Sequence, residues 1–429
     1  SAASDVYKRQ LVFSTYFCKK ECFFNHFIIS GIILNSLGAN KLNIIKCDMK
    51  KEFYIVILAF VFLSHSTALW ALSPNFKLEI SEVKRLVNRT CRWQMNAYPN
   101  MDENRIWKSA GDLSWENGVF LSALSRWAEF VKEPQMIEWY ESICNRNYYG
   151  TSQNRLSIYH ADDFAVCMMY VTLYNKVRNQ RILQHTQARL DYTINHPSEI
   201  QFGDTTACKY DRWTWCDALY MAPPVYAAFS RITGDNSYLY FMDKEYWATY
   251  EYLFDKEEQL FYRDGSYFDK REKNGKKVFW GRGNSWVAGG LCLLLEQIPL
   301  DSPLRERYES LLITLLKRIA PLQRDNGYWS ASLLDPDAYP NPETSSTGFF
   351  TFALFWAINN GLLQEDIYII NAMKGWQALK KAINNDGMLG WVQPIGASPE
   401  TVTQNMTEVY GAASLMLVGE QLIRYFEKK

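Results

Sequence analysis

The sequence has no excess of charge of either sign. Lysine plus arginine and aspartate plus glutamate number 46 each in 429 residues, so the formal net charge is zero. No stretch stacks basic side chains in the way that neutralising a phosphate backbone requires. We therefore exclude DNA and RNA as partners.

Long apolar segments are scarce as well. The apolar run Phe53–Leu63 is shorter than the roughly 20 residues of a membrane span. It follows Met49-Lys50-Lys51 and precedes small residues that end at Ala68, which is the order of regions in a secretory signal. We predict that residues 49–68 are a signal peptide and that the mature protein is secreted or periplasmic without a membrane span. Residues 1–48 are interpreted as upstream sequence translated by mistake and are left out of the fold.

Cysteines with the paired spacing of a zinc site are missing too. Six cysteines follow the predicted signal: Cys91, Cys144, Cys167, Cys208, Cys216 and Cys292. We predict no metal and no cofactor. Export would permit a disulfide, but isolated buried thiols are favoured in a domain of this size.

Aromatic residues, in contrast, are abundant. They make up 15% of the chain, with 15 tryptophans and 27 tyrosines, in a composition typical of a folded globular enzyme. Flat aromatic faces suit the C–H faces of sugar rings, although most such residues fill cores. The composition therefore favours a carbohydrate ligand only slightly.

From about Ile80 onward the apolar residues recur with helical periodicity, while strand-like alternation is scarce. Polar-aromatic signatures recur roughly every 45 to 65 residues, and each precedes an apolar helical run. They are Trp115-Glu116-Asn117-Gly118, His160-Ala161-Asp162-Asp163, Trp215-Cys216-Asp217, Arg282-Gly283-Asn284, Glu343-Thr344-Ser345 and Thr407-Glu408-Val409-Tyr410-Gly411. One helical hairpin per signature predicts an all-α fold, an (α/α)6 barrel in one domain over residues 73–429. Its inner-helix starts would share one pocket.

Asp217 is a candidate general acid. It stands between aromatic and apolar residues at the entry to a helix, and desolvation there would raise the pKa of its carboxyl group toward the range of an acid catalyst. The alternative is an N-cap that accepts hydrogen bonds from helix amides. The residues alone leave both open.

The adjacent acids Asp162 and Asp163 precede a helix predicted over Phe164–Tyr174. Paired carboxylates in a glycosidase normally act as an acid and a base or nucleophile. Acidic residues are, however, also common at helix starts for structural reasons. One of the two could cap the helix while the other faces the pocket.

The segment Trp280–Trp286 combines a guanidinium, an amide and two indoles with glycines that allow close backbone approach. Arg282 suits a substrate carboxylate, and the indoles offer stacking faces. The alternative is a turn whose arginine pairs with a nearby acid. Glu343 and Glu408 favour helix capping, and Trp391 is a candidate sugar platform.

At these motifs the chain resembles glycoside hydrolase family 105, the unsaturated rhamnogalacturonyl hydrolases, and more distantly the unsaturated glucuronyl hydrolases of family 88. The matching motifs run in order along nearly the whole mature chain. They are His160-Ala161-Asp162-Asp163, Trp215–Pro224, Arg282-Gly283-Asn284-Ser285-Trp286, Pro342–Gly348 and Thr407–Gly411. The resemblance implies a six-hairpin (α/α)6 glycosidase.

The resemblance also implies the chemistry. Such enzymes remove a terminal 4,5-unsaturated uronic acid by hydrating its C4=C5 bond, with galacturonyl-rhamnose from pectic rhamnogalacturonan as the default substrate. Asp217 would protonate C4 and accept a proton from water, supported by Asp162 or Asp163. Arg282 would pair with the uronate carboxylate. The other implied substrate contacts are Trp115, His160, Trp215, Met221, Asn284 and Trp286.

Two serines depart from the family pattern, which has glycine at the positions of Ser285 and Ser346. Each adds a side chain that could narrow the pocket. Two other classes remain as alternatives: an (α/α)6 sugar epimerase or isomerase, which needs acid-base groups on both faces of the sugar, and a non-catalytic carbohydrate-binding barrel. The sequence predicts no particular oligomeric state.

Overall fold

The computed structural model describes residues 76–97, 111–152, 157–204, 206 and 208–428. The predicted signal peptide and the segment before it lie outside these residues. The helices are, in chain order, α1 (Phe76–Ala97), α2 (Trp115–Val131), α3 (Pro134–Arg146), α4 (Cys167–Val177), α5 (Gln184–Asn195), α6 (Ala218–Met221), α7 (Pro223–Thr233), α8 (Ser237–Leu253), α9 (Gly281–Leu295), α10 (Arg305–Ile319), α11 (Thr344–Asn359), α12 (Asp366–Ala382) and α13 (Val409–Glu427).

Short elements connect these helices. Within the described residues, the 3-10 turns are Ala161–Phe164, Gln180–Leu183, Lys209–Asp211, Gly265–Tyr267 and Ala320–Leu322. Strand β1 (Phe254–Asp255) pairs antiparallel with β2 (Leu260–Phe261) in a small hairpin between α8 and α9. The prediction of an almost entirely helical chain is therefore confirmed over the described residues.

The helices form two concentric rings. The inner ring consists of α2, α4, the pair α6 and α7, α9, α11 and α13, and α13 packs against α2 to close it. The outer ring consists of α1, α3, α5, α8, α10 and α12, which alternate with the inner helices along the chain. This arrangement is the predicted (α/α)6 barrel.

Burial follows from the residue patterns of the two kinds of helix. The inner helices α9 and α11 are apolar on all sides, and nearly every residue in them is buried. An outer helix such as α10 instead buries one stripe at helical spacing, formed by Tyr308, Leu311, Leu312, Leu315, Leu316 and Ile319. The sequence thus determines which helices line the core.

The predicted signatures lie at or just before the inner-helix starts, so they converge on one end of the barrel, which we call the mouth. One boundary differs from the sequence prediction: Asp162 and Asp163 lie in a 3-10 turn, and α4 begins at Cys167 rather than at Phe164. The two acids are therefore held on a tight turn before the helix.

A close backbone contact positions the mouth near Asp217. A Cβ atom on Gly290 of α9 would lie 2.5 Å from the carbonyl oxygen of Leu219 and 2.7 Å from the Cα atom of Tyr220. Glycine is needed there because the backbones of α9 and α6 touch. This contact brings the helix that follows Asp217 against the helix that carries Arg282.

Arg126 connects three inner helices at the opposite end of the barrel. Its guanidinium binds Glu296, the residue directly after α9, at 2.8 Å and Glu420 of α13 at 2.5 Å. A cavity of about 1000 Å³ opens beside this cluster, at the carboxyl ends of the inner helices. Within the described residues, no helix is long and apolar enough to cross a membrane.

Candidate active site at the mouth of the barrel

Asp217 lies at the mouth directly before α6. Its side chain makes no capping hydrogen bond to the helix amides, so the N-cap alternative does not describe it. The carboxylate is 13% exposed, and the Nε atom of Arg263 lies 3.7 Å from its Oδ2 atom. The Sγ atom of Cys216 approaches the same oxygen at 3.5 Å. Asp217 is thus available to a ligand and faces a fixed positive charge.

Asp162 is the member of the acidic pair that faces Asp217. Burial, followed by the negative charge of Asp217, raises the pKa of Asp162 to about 8, although Arg263 acts in the opposite direction. Its Oδ1 atom is buried without a hydrogen-bond partner. A carboxyl group in this setting keeps its proton at neutral pH, as a general acid requires.

Asp163 points away from the mouth. It is 3% exposed and accepts a hydrogen bond of 2.6 Å from Arg189 of the outer helix α5. This buried ion pair fixes the 3-10 turn to the outer ring. The two adjacent acids therefore have different surroundings. The position of Asp163 does not support its predicted catalytic role.

His160 is a support for the acidic turn. Its ring stacks on Tyr210 at 4.4 Å and lies 5.1 Å from Trp215. Its Nδ1 atom accepts a hydrogen bond from the backbone N–H of Asp162 at 3.3 Å. Burial lowers the pKa of His160 to about 4, so the ring is neutral at physiological pH. The predicted sugar contacts of His160 and Trp215 stay predictions, because both side chains are largely buried.

Arg263 is the residue that sequence reasoning missed. Besides facing Asp217, it donates a hydrogen bond of 2.5 Å to Asp264, and its side chain is 21% exposed. It follows the hairpin β1-β2 rather than beginning an inner helix, so it belongs to none of the signatures. The backbone pairing of Trp215 with Asp264 brings it to the mouth. This pairing of two loops leaves no pattern in the sequence.

Arg282 is less accessible than predicted. It is 1% exposed and donates hydrogen bonds to the carbonyl groups of Gln393 and Pro394 at 2.6 and 2.9 Å. Its guanidinium lies between the rings of Trp280 and Tyr410. The residue thus holds the 393–394 loop against the mouth, and its predicted contact with a substrate carboxylate stays a prediction.

Asn284 and Trp286 are both fully buried. The side-chain amide of Asn284 bonds to the backbone of Phe261 and Trp280. Trp286 packs beneath Trp115 with a centroid distance of 6.3 Å. Both side chains pack against other residues of the mouth, and their predicted contacts with substrate stay predictions.

The indole of Trp115 is partly exposed at the mouth. It stacks on Tyr410 at 5.7 Å with an interplanar angle of 14°. Trp391 is also partly exposed and occupies a turn with a φ of 60°. Both side chains are candidate stacking faces for a sugar ring at the mouth.

Glu343 caps α11, in agreement with the capping interpretation. Its carboxylate accepts hydrogen bonds from the backbone N–H groups of Ser345, Ser346 and Gln393 at 2.7 to 3.1 Å. Glu408 is buried at the start of α13 without a side-chain capping bond.

Ser285, one of the two serines that depart from the family pattern, lies in α9. Its hydroxyl donates a hydrogen bond to the carbonyl of Arg282 within the same helix. The extra side chain of Ser285 is therefore accommodated by its own helix.

Met221 is not grouped with the other predicted contacts. It lines the cavity at the opposite end of the barrel, one helical turn beyond Asp217. The prediction that it contacts the same ligand as Asp217 is thus not supported by its position. The expected buried thiols are found at five positions: Cys91, Cys144, Cys167, Cys216 and Cys292. Among the described residues, no three metal-binding side chains form a cluster.

Known proteins resemble this chain in sequence and in structure. The sequence model of the family Glycosyl Hydrolase Family 88 matches residues 86–426 of this chain. The unsaturated 3S-rhamnoglycuronyl hydrolase of Alteromonas sp. (strain LOR) is 34% identical over 357 residues, which cover 80% of this chain and 86% of the relative. A protein of the same description from Formosa agariphila is 36% identical over 360 residues, which cover 82% of this chain and 93% of the relative.

A solved structure of a glycosyl hydrolase family 88 protein from Bacteroides vulgatus superposes with a TM-score of 0.71. It is 28% identical and covers 81% of this chain and 99% of its own. The resemblance inferred from the motifs, the (α/α)6 barrel and the assignment as a glycoside hydrolase are thereby confirmed. The ring of helices, the acidic mouth and these matches lead to one conclusion: the chain belongs to glycosyl hydrolase family 88.

Proposed function

We propose that this enzyme removes a terminal 4,5-unsaturated uronic acid from a rhamnose-containing oligosaccharide by adding water across the C4=C5 bond. The observation that carries the proposal is the meeting of Asp162 and Asp217 beside Arg263 at the mouth of the barrel. The relatives named as unsaturated rhamnoglycuronyl hydrolases support both the unsaturated uronic acid and the rhamnose.

Hydration of an enol ether needs a proton donor at one carbon and a base for the water that adds at the other. Asp162 holds a proton at neutral pH, because its pKa is raised to about 8. This proton passes from Asp162 to Asp217, which delivers it to C4; Asp217 then takes a proton from the water that adds at C5 and returns it to Asp162. The resulting hemiketal opens, and the hemiacetal left at C1 expels the aglycone. No covalent intermediate forms.

Arg263 supplies the positive charge in this scheme. A uronate carboxylate approaches a mouth that contains Asp162 and Asp217, and an adjacent guanidinium offsets that repulsion. Arg263 is more exposed than Arg282 and lies beside the reacting carboxylates. We therefore place the substrate carboxylate near Arg263, while Trp115 and Trp391 stack on the sugar rings.

The barrel geometry gives less support to an epimerase. Such an enzyme needs acid-base groups on both faces of the sugar, and His160 is the only histidine of the signatures. Its ring is buried against Tyr210 and Trp215, and its Nδ1 atom is occupied by the backbone of Asp162. His160 is therefore a poor proton carrier.

The test uses lyase-generated disaccharides in which an unsaturated uronic acid is linked either to rhamnose or to another sugar. We expect the ultraviolet absorbance of the double bond to disappear with the rhamnose-linked substrates, together with stoichiometric release of rhamnose. Asp217→Asn should lower the rate by at least about 100-fold, the usual contribution of acid-base catalysis. Persistent absorbance with every unsaturated uronide, or an unaffected Asp217→Asn variant, would contradict the proposal.

The natural setting is also a proposal. Residues 49–68 have the order of regions found in a secretory signal, which supports export to a compartment where pectic or related rhamnose-bearing polyuronides are degraded. Expression from Met49 in a secreting bacterial host should give a mature N-terminus shortly after Ala68. Retention of the uncleaved chain in the cytoplasm would contradict export.

A further inference from the structure

The segment that carries Arg263 is fastened by one side chain of α9. The Oδ1 atom of Asn284 accepts a hydrogen bond of 2.8 Å from the backbone N–H of Phe261. Its Nδ2 group donates to the carbonyl oxygen of Phe261 at 3.0 Å and to that of Trp280 at 3.1 Å. One buried amide therefore satisfies both backbone groups of Phe261, as a neighbouring strand would do.

The other end of the same segment is held by the loop before Asp217. The backbone N–H of Cys216 donates to the carbonyl oxygen of Arg263 at 2.9 Å, and Trp215 pairs with Asp264. A Cβ atom on Gly283 would lie 3.0 Å from the Sγ atom of Cys216, so glycine lets this loop pack closely on α9. The Gly283-Asn284 dipeptide thus contacts both loops that meet at the mouth.

We infer that Asn284 is a positioning residue, which fixes the Arg263 guanidinium opposite the Asp217 carboxylate by holding the backbone of Phe261. This inference rests on the proposed function and replaces the predicted contact of Asn284 with substrate. Asn284 is fully buried and its amide is committed to backbone groups, so it acts through Arg263 rather than on the sugar.

Loss of the amide has a specific electrostatic consequence. Phe261 would keep two buried backbone groups without partners, and the segment would shift to find new ones. Arg263 would then move away from the two carboxylates. Because Arg263 lowers the pKa of Asp162, that pKa would rise when the guanidinium withdraws. A change confined to packing would not alter the protonation of Asp162.

The experiment compares Asn284→Ser, Arg263→Gln and the double variant in the full chain. We measure kcat, KM, the pH dependence of kcat/KM and the melting temperature. Asn284→Ser should lower kcat/KM roughly 30- to 100-fold, the effect of misplacing a catalytic group by about 1 Å. Both single variants should move the alkaline limb of the pH profile toward higher pH. In the Arg263→Gln background, Asn284→Ser should cost less than about 2-fold, because the two residues act as one unit.

Asn371→Ser is the matched control. Asn371 is likewise a buried asparagine whose amide bonds to a backbone carbonyl, that of Ala320, but it lies on the outer helix α12. Its replacement should lower the melting temperature and leave kcat/KM and the pH profile unchanged. If Asn284→Ser does not fold, Asn284→Asp keeps the acceptor for Phe261 and is used in its place.

Two results would overturn the inference. One is a multiplicative loss of kcat/KM in the double variant, and the other is a pH profile of the Asn284 variant that matches the wild type. Either result, obtained while the wild type hydrates the unsaturated substrate, counts against Asn284 alone. An inactive wild type counts instead against the proposed function.

Discussion

Two neighbouring aspartates in the same turn have different surroundings. Asp163 is buried against Arg189, whereas Asp162 lies 21% exposed beside Asp217. A sequence of two acids in a row cannot separate them, because a single residue step rotates the side chain from the mouth to the outer ring. In our proposal Asp162 therefore takes part in the chemistry, and Asp163 contributes to stability.

This division predicts opposite effects of the same substitution. Asp163→Asn should leave Arg189 as an uncompensated buried charge and lower the free energy of unfolding by about 3 kcal/mol. Its activity should stay within a few fold of the wild type. Asp162→Asn should change stability little and abolish at least about 99% of the activity, since an amide cannot release the proton. Urea unfolding and initial rates of both variants check this, and an active Asp162→Asn would contradict it.

Asp162 also sets a pH dependence. Its acid form is the active one, so kcat/KM should fall as the pH rises through the pKa of about 8. Above it the decline should approach roughly tenfold per pH unit, as for a single titrating acid. Initial rates measured over the alkaline range test this. A profile that stays flat well above that pKa would show that the proton comes from another group.

At the scale of helices and loops, the sequence predicted the elements that show up as a periodic pattern of apolar residues. The inner helices, their order and the signatures at their starts are visible because apolar residues recur at helical spacing. The capping of α11 by Glu343 is likewise local in sequence. The start of α4 was placed a few residues early because a 3-10 turn and an α-helix have similar apolar spacing.

Contacts between loops were beyond prediction. Arg263 reaches Asp217 through backbone pairing of two segments almost fifty residues apart, and neither segment has a strand pattern. Asn284 and Arg282 were assigned to the ligand because amides and guanidinium groups suit sugars. In the structure their hydrogen bonds go to backbone atoms of neighbouring loops. The residue type predicts which hydrogen bonds a side chain can make. The packing of the folded chain decides which partner it bonds to.

At the scale of the whole barrel, Arg126 joins α2 to α9 and α13. Burial alone would raise the pKa of Glu420, but the positive charges of Arg126 and Arg424 outweigh it and lower that pKa. Glu420 therefore contributes stability at neutral pH that is lost as the pH falls through its lowered pKa. The ring is most strongly connected when this carboxylate is ionised.

Arg126→Met should reverse this pH dependence. The variant keeps Glu296 and Glu420 without their main cation, so its stability should fall as the pH rises above the pKa of an ordinary glutamate. At neutral pH we expect a loss of about 2 to 3 kcal/mol, reduced from that of a fully buried pair because Arg126 is partly exposed. Arg424→Met, which removes a more exposed partner of Glu420, should cost less than about 1 kcal/mol. Urea unfolding at acidic and neutral pH compares them, and equal losses at both pH values would contradict the role of Arg126.

The common direction of the inner helices has a consequence for the ligand. Their N-termini all lie at the mouth, and each carries a partial positive charge of roughly half an elementary charge from its aligned peptide dipoles. The mouth also contains the acids Glu116, Asp162, Asp217, Asp264, Glu343 and Glu408. The helix N-termini thus offset part of the negative electrostatic potential that the acidic side chains produce at the mouth. An anionic sugar is therefore repelled less than the number of acidic residues suggests. At the opposite end, where the dipoles are negative, the cavity is lined by the cations Arg126, Lys132, Lys176, Arg231, Arg424 and Lys428 together with the acids Glu129, Glu296, Glu420 and Glu427. The common direction of the inner helices therefore favours anionic groups at the mouth and cationic groups at the cavity, and the acids at the cavity depend on neighbouring cations such as Arg126.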